Sequence, residues 1–332
     1  MTSGFLALLR PTGPWRLGSH TGARDHVDRI CHSDTLFAAI TGAMNRMSLL
    51  EEWLAATSEA AVRISSAFPF QGKTLFIAPP RSLWPPAPSA RVRWRGAQLV
   101  PISIVADLIA EKPLDETRWR VDGASECLIP VDRPGPGPTR IALRTSAAVD
   151  RLTGNSEPHT TACLEFAPGA GMWLAVSFAD ENAALRWTER MKAALRLLAD
   201  TGIGGERSRG WGRFETPEFR EGKFPDLLVP APEGELAPAW WLLSLYHPSD
   251  GDVVDWADGR YEVTIRSGRV ESNAGWGATK KSTRMVSEGS VLISDFPPRG
   301  STPDVAPDGF AHPVFRSGLA FSLPIAWKVV AP

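Results

Sequence analysis

The sequence has little of what would staple a chain or anchor it in a membrane. Cysteine occurs three times, as Cys31, Cys127 and Cys163. An odd number at wide spacing fits neither a disulfide framework nor a paired-cysteine metal site, so reduced thiols in a cytoplasmic protein are expected. No apolar run approaches the roughly 18 residues that mark a membrane-spanning helix. The opening MTSGFLALLRPTGPWRLG has a short apolar stretch, but no basic segment precedes it and no small-residue cleavage site follows. It reads as a first strand rather than a secretion signal. An excess of one charge is missing too: 36 Lys and Arg face 37 Asp and Glu, for a formal net charge of −1. That argues against nucleic-acid binding driven by the charge of the whole protein, although the charges are unevenly placed and a local basic groove is compatible with the balance.

What is present is an ordinary globular composition, 43% hydrophobic and 22% charged over 332 residues, long enough for about two domains with a sizeable core. The 13 tryptophans are expected mostly in cores and contacts, since Trp buries a large area. GFLALLR (4–10) reads as a strand. Ser33 or Asp34 is a natural helix cap, and Leu36, Phe37, Ile40, Met44, Met47 and Leu50 follow at helical spacing through residue 56. AVRISSAF and TLFIAP read as strands, and the proline- and glycine-rich residues 79–90 and 130–140 bracket an expected irregular insertion. Residues 163–178 read as two strands joined by a turn. Asp180 then caps a second helix with an apolar stripe of Leu185, Trp187, Met191, Leu195 and Leu198, stopped by Gly202, and WGRFETPEF reads as the next strand. Strand, helix, strands, helix, strand is the ferredoxin-like order with insertions. The fold class expected is α+β, with two ferredoxin-like (RRM-like) domains. The first spans 1–218, a proline-rich linker spans 219–239, and a second, degenerate and β-rich domain spans 240–332.

The densest signal is TGIGGERSRGWGRF, residues 201–214. A dinucleotide loop stands after a strand and before a helix; here the order is helix, loop, strand, and the helix end at the loop is the negative pole of its dipole. A Walker A loop needs Gly-Lys-Ser/Thr before a helix, which is absent. Two readings stay open. The glycines allow backbone to pack on backbone, or they let phosphates approach main-chain N–H groups while Arg207, Arg209 and Arg213 neutralise them with forked hydrogen bonds. Packing alone leaves the three arginines unexplained. Trp211 stacks on a base or joins the core.

This loop, between a helix and the following strand, resembles the signature loop of the RAMP proteins of CRISPR effector complexes. HSDTLFAAITGAM resembles the helix after their first strand, and TSAAVDRLTGNSEPHTTACLEF resembles their "aIDRxTG" hairpin segment, with Val149 in place of Ile and Asp150, Arg151, Thr153 and Gly154 retained. GATKKSTRMVSEGSVL with HPVFRSGLAFSLPI resembles the C-terminal half of the fourth subunit of type III-A (Csm) complexes, more than its type III-B counterpart. The resemblance implies a subunit of an RNA-guided antiviral effector that binds the 5′ handle of the CRISPR RNA and helps position the guide–target RNA duplex. It implies contacts with the large polymerase-like signalling subunit and the backbone RAMP subunits, no catalytic residue, no metal or cofactor, and no membrane. The residues it puts forward for RNA are Gly204, Gly205, Arg207, Ser208, Arg209, Gly210, Gly212 and Arg213 in the loop, with Arg10, His32, Arg151, Lys280 and Lys281 elsewhere. Val149 to Gly154, with Leu152 among them, form the expected thumb of a hairpin running from Arg140 to Leu164.

The alternative is enzymatic. His20, His26 and His32 lie after the first strand, near where related RAMP proteins that cut CRISPR repeats carry a catalytic histidine, acting as general acid or base in a metal-independent cleavage. Their spacing of six does not suit a metal on one helix face, and HSDT is equally a helix-capping segment. His312 and Arg316 carry a family look without a mechanism.

Overall fold

A computed structural model of the protein describes residues 2–18, 25–149, 156–230, 239–272 and 275–326. Strand β1 (Thr2–Leu9) is buried on both faces from Gly4 onward. The alternation of a strand explains how: Phe5, Ala7 and Leu9 point into one core, and Leu6 and Leu8 into another. Helices α1 (Ser33–Arg46) and α2 (Leu50–Ser58) follow. The apolar spacing over 34–56 predicts one helix, but the chain breaks at Ser48, which sits in the left-handed region at φ 59°. The break lets Trp53 turn inward, where its indole donates to Thr41 Oγ1 at 2.9 Å and packs edge-on against Trp187.

Next come β2 (Val62–Ile64), β3 (Phe68–Gln71) and β4 (Thr74–Ile77). The segment expected to be irregular is built: it contains β5 (Val100–Pro101), α3 (Ile102–Ile109), β6 (Trp119–Asp122) and β7 (Cys127–Pro130). It is ordered because Val92, Trp94, Leu99, Leu128 and Ile129 bury themselves against Leu6 and Leu8. A long hairpin of β8 (Thr139–Val149) and β9 (Ser156–Phe166) pairs residue for residue from Thr139↔Phe166 to Val149↔Ser156. Then come β10 (Ala170–Phe178), α4 (Glu181–Thr201) and β11 (Glu218–Phe224). The two strands expected in 163–178 are β9 and β10, but β9 pairs with β8, and β10 pairs with β1, β2 and β3. In α4 the Asp180 cap accepts from Ala183 N–H as expected. Leu185 leaves the expected stripe: it is 88% exposed, because it lies about 200° around the helix from buried Trp187.

The first sheet runs β11-β1-β10-β3-β4-β5, with β2 also on β10, and its pairings are antiparallel. Helices α1 and α4 cover one face. Its centre, β11-β1-β10-β2, carries the strand-helix-strand, strand-helix-strand order of a ferredoxin-like unit. The strand expected at WGRFETPEF lies later, at Glu218–Phe224, inside the stretch that reads as a linker. Phe219 against the Phe5 ring at 5.5 Å and buried Phe224 hold it in the sheet, despite the proline-rich composition that follows.

The remainder is β12 (Ala239–Leu242), β13 (Asp255–Arg260), β14 (Val263–Arg266), β15 (Arg269–Ser272), β16 (Gly275–Thr279), β17 (Thr283–Val286), β18 (Val291–Ile293) and β19 (Ser322–Ile325). Four of these form the sheet β13-β18-β12-β19, and β14-β17 and β15-β16 pair separately. Among the described residues no α-helix follows α4. Trp241, Leu243, Leu323 and Ile325 join the core that holds Leu6 and Leu8 of β1. The protein is α+β, and no helix of its described residues is long and apolar enough to cross a membrane.

Candidate nucleic-acid interface

The glycine-rich loop is shaped by close backbone contact. Gly202 ends α4 at φ +80° and donates to Leu198 O at 2.8 Å. Ile203 N–H donates to Gly212 O at 3.0 Å, so the loop closes on itself. It also lies along residues 14–17: Gly212 N–H donates to Pro14 O at 3.0 Å and Gly205 N–H to Arg16 O at 2.9 Å. A Cβ on Gly204 would sit 2.3 Å from Arg16 O, and one on Gly212 would sit 2.1 Å from Ile203 O. Packing therefore accounts for these glycines. Gly210, at φ +80° with open space around its missing Cβ, serves the turn alone.

The N-terminus of α1 fixes what stands opposite the loop. Ser33 or Asp34 is expected as the cap, yet the helix begins after His32, and both residues turn outward to the C-terminal half. Ser33 Oγ accepts from Leu245 N–H at 3.0 Å. Asp34 receives a forked pair from Arg266, Nε at 3.1 Å and Nη2 at 2.9 Å, with Arg316 Nη1 at 3.5 Å. Burial alone pushes the Asp34 carboxyl up, but the Arg266 guanidinium outweighs it and holds it below its usual range. His32 Nδ1 meets Glu288 Oε1 at 2.8 Å, and the same carboxylate accepts from Ser66. Burial opposes the imidazolium, and Glu288 overrides it, raising the His32 pKa above 6.5.

This clamp carries a pH signature. A raised folded pKa stabilises the fold below the unfolded value and loses that contribution as pH rises through the folded one. Glu288 is lowered, so its contribution is present above 4.5 and is lost in acid. Urea denaturation is expected to show stability falling as pH climbs above about 6.5, with the decline abolished by His32→Gln. A wild-type curve flat between neutral and mildly alkaline pH would contradict this.

Between loop and clamp lies a cleft of about 280 Å³. Its walls are Arg16, Gly202, Gly204, Gly205 and Arg207 from the first segment and the loop; Thr35, Gly42 and Arg46 from α1; and Gly268, Arg269 and Lys280 across from them. Arg266 and Arg316 complete it beside Asp34. Seven cationic side chains and one carboxylate, Asp34, are among the described lining residues; Asp34 is engaged by Arg266 and Arg316, and Arg266 also meets Asp28 at 3.5 Å. In a chain of net charge −1 this is a concentrated positive field suited to a polyanion.

Of the residues expected to meet RNA, Gly204, Gly205, Arg207 and Lys280 line the cleft. The others lie elsewhere. Arg209 faces the hairpin, with Glu206 at 3.2 Å and Ser146 Oγ at 3.3 Å. Ser208 and Arg213 are exposed beyond the lining residues, and Trp211 is half-buried. Arg10 pairs with Glu218 at 2.9 Å above the Phe70 ring, and Lys281 pairs with Asp308 at 2.8 Å. His32 pairs with buried Glu288 and is not among the residues lining the cleft. His26 is exposed, 3.6 Å from Asp28. Val149 ends β8, while Asp150, Arg151, Leu152, Thr153, Gly154 and His20 lie outside the described residues. Sequence reasoning misses Arg46, Arg269 and Arg16. The first two sit in ordinary sequence, and only the Ser-Gly-Arg of 267–269, repeating the loop's theme, hints at one of them.

Residues 235–325 match the family described as CRISPR Csm4 C-terminal domain. Over 325 residues, 96% of each chain, the sequence is 28% identical to the CRISPR system Cms protein Csm4 of Thermococcus onnurineus. A chain of the Csm3-Csm4 subcomplex of the type III-A CRISPR-Cas interference complex superposes with a TM-score of 0.65 at 15% identity, covering 97% of this protein and 99% of that chain. A chain of the Csm1-Csm4 cassette in complex with cA4 does so at 0.60 and 20% identity, covering 98% and 99%.

Proposed function

We propose that the chain, similar over residues 235–325 to the CRISPR Csm4 C-terminal domain and over 96% of its length to the Csm4 of Thermococcus onnurineus, is a Csm4-type subunit of a type III-A CRISPR effector and holds the 5′ handle of a CRISPR RNA in the cleft between the glycine-rich loop, α1 and Gly268–Arg269. The observation that carries this reading is the lining, in which seven cationic side chains gather around one cleft with open space at Gly42 and Gly268. The sugar–phosphate chain is the ligand such a surface recognises. The handle would run past Arg207 and Arg46 toward Arg269 and Lys280. The relatives crystallised as Csm1-Csm4 and Csm3-Csm4 assemblies support a place in the same effector, beside a large signalling subunit and a backbone RAMP subunit.

The hairpin of β8 and β9 fits a thumb beside the guide–target duplex. Arg140 and Arg144 both pair with Glu165 across it, stiffening its base, and Ile141 and Leu143 remain exposed on one arm as apolar surface for an unstacked base. The role we propose is non-catalytic. His32 is held in an ion pair with buried Glu288, and exposed His26 lies 3.6 Å from Asp28.

One experiment tests both parts. Labelled handle RNA is titrated against the wild type and the Arg46→Glu, Arg207→Glu, Arg269→Glu triple variant over a range of salt, in EDTA. Affinity is expected to drop. The log–log salt slope should shrink by about 0.7 for each single-strand phosphate that the variant no longer neutralises, about 2 in all. Gels of the same samples should show intact RNA. Equal slopes would overturn the cleft assignment. Cleavage that disappears in His26→Ala would replace the non-catalytic role by the endoribonuclease one.

A further inference from the structure

A second basic surface lies on the segment between β4 and β5, where the sequence reads Arg91-Val-Arg-Trp-Arg-Gly96. Val92 and Trp94, the latter opening a 3-10 turn over Trp94–Gly96, are 5% and 4% exposed in the core that also holds Leu6 and Leu8, while Arg91, Arg93 and Arg95 are exposed to solvent. Among the described residues none of these three guanidinium groups has a carboxylate in ion-pair range.

The ridge separates two depressions. On one side is an open one of about 700 Å³ lined by Arg91, Arg93 and Arg120, with Gly96 and Gly123 as floor and Glu126 as its one carboxylate. Glu126 is already paired with Arg29 Nε at 3.1 Å. Gly123 has nothing within 4 Å of where a Cβ would be, so main chain is accessible there. On the other side, about 290 Å³ is lined by Arg81, Arg95, Trp84 and Glu288, whose carboxylate is paired with His32. Gln98 lines both, so the two depressions adjoin. Neither shares a lining residue with the cleft at the glycine-rich loop.

We infer that the Arg91–Gly96 ridge is a second nucleic-acid track, which binds the backbone of single-stranded RNA without reading its sequence, at a place separate from the handle cleft. Three forked guanidinium groups within five residues can each take a phosphate oxygen pair, and a planar group carries little hydration to lose. Gln98, exposed between the two depressions, offers hydrogen bonding to whatever base turns inward. A surface made for an acidic protein would instead need apolar contacts between the charges, and none of the large exposed hydrophobic side chains lies on residues 79–130.

The test uses the full chain and a uridine homopolymer RNA long enough to reach both surfaces. Arg91→Glu, Arg93→Glu, Arg95→Glu is compared with the wild type, with the cleft triple variant and with the two combined. The ridge variant is expected to lower the salt slope by about 2, for three phosphates, and its effect should add to that of the cleft variant. A gentler Arg→Gln triple should lower the slope by a similar amount, which guards against a folding defect of the Glu variant. A ridge variant whose affinity and slope equal the wild type's would overturn the inference even if the cleft variant behaves as expected. Displacement of the RNA from the cleft variant by polyglutamate at equal charge would overturn it in favour of an acidic protein partner.

Discussion

Asp34→Ala is expected to lower the stability of the chain by about 3–5 kcal/mol, the loss typical when one partner of a buried charge pair is removed. The carboxylate stands between two guanidinium groups that are themselves 6% and 4% exposed, Arg266 and Arg316. Without it, Arg266 keeps Asp28 at 3.5 Å, while buried Arg316 beside it has no carboxylate in ion-pair range among the described residues. Asp34→Asn should be milder, because the amide oxygen still accepts from Arg266. The damage should not be confined to stability. The Asp34–Arg266 fork and Ser33–Leu245 tie the start of α1 to the C-terminal half, and that tie places Arg269 and Lys280 opposite the loop. Urea denaturation of the variant, read with the affinity for handle RNA, checks both effects. A loss under about 1 kcal/mol would mean that the clamp is replaceable by surrounding packing.

That clamp also shows what a sequence conceals. Asp34 and Arg266 are 232 positions apart, and nothing local marks them as partners. HSDT looks like a capping segment because Ser and Asp are the usual caps, and only the second half of the chain converts them into a contact between the two halves. The elements whose signals are local were legible: β1, the cap and stop of α4, and the arms of the β8–β9 hairpin. The break at Ser48 and the strand hidden in a proline-rich stretch were not, because tertiary burial of Trp53, Phe219 and Phe224 decides both. For the cleft, the loop announced itself through glycine density. Arg46 and Arg269 did not, since a surface arginine becomes a wall only when another element is brought to face it.

Gly212→Ala is expected to do the most harm to RNA binding per atom added. Its backbone holds φ +80°, where a side chain costs about 1–2 kcal/mol. The new methyl would lie 2.1 Å from Ile203 O and 2.7 Å from Ile203 N, both main-chain atoms with no rotamer to change. Overpacking of this kind adds about 1–3 kcal/mol, so the variant should be about 2–5 kcal/mol less stable in the native loop geometry. The chain can relieve the clash only by breaking the Ile203–Gly212 bond that closes the loop and the Gly212–Pro14 bond that seats it. Arg207, which lines the cleft from inside this loop, would lose its fixed position. Gly210→Ala is the matched control: the same φ of +80° with no atom within 4 Å of the new methyl, so it should show only the backbone cost and keep its affinity for RNA. Hydrogen exchange should report opened amides at 203–212 in the first variant and not in the second, alongside at least a tenfold difference in RNA affinity, the equivalent of about 1.4 kcal/mol. If both alanine variants bind RNA as the wild type does, the loop is a packing element only, and the positive wall formed by α1 and Gly268–Arg269 holds the RNA without it.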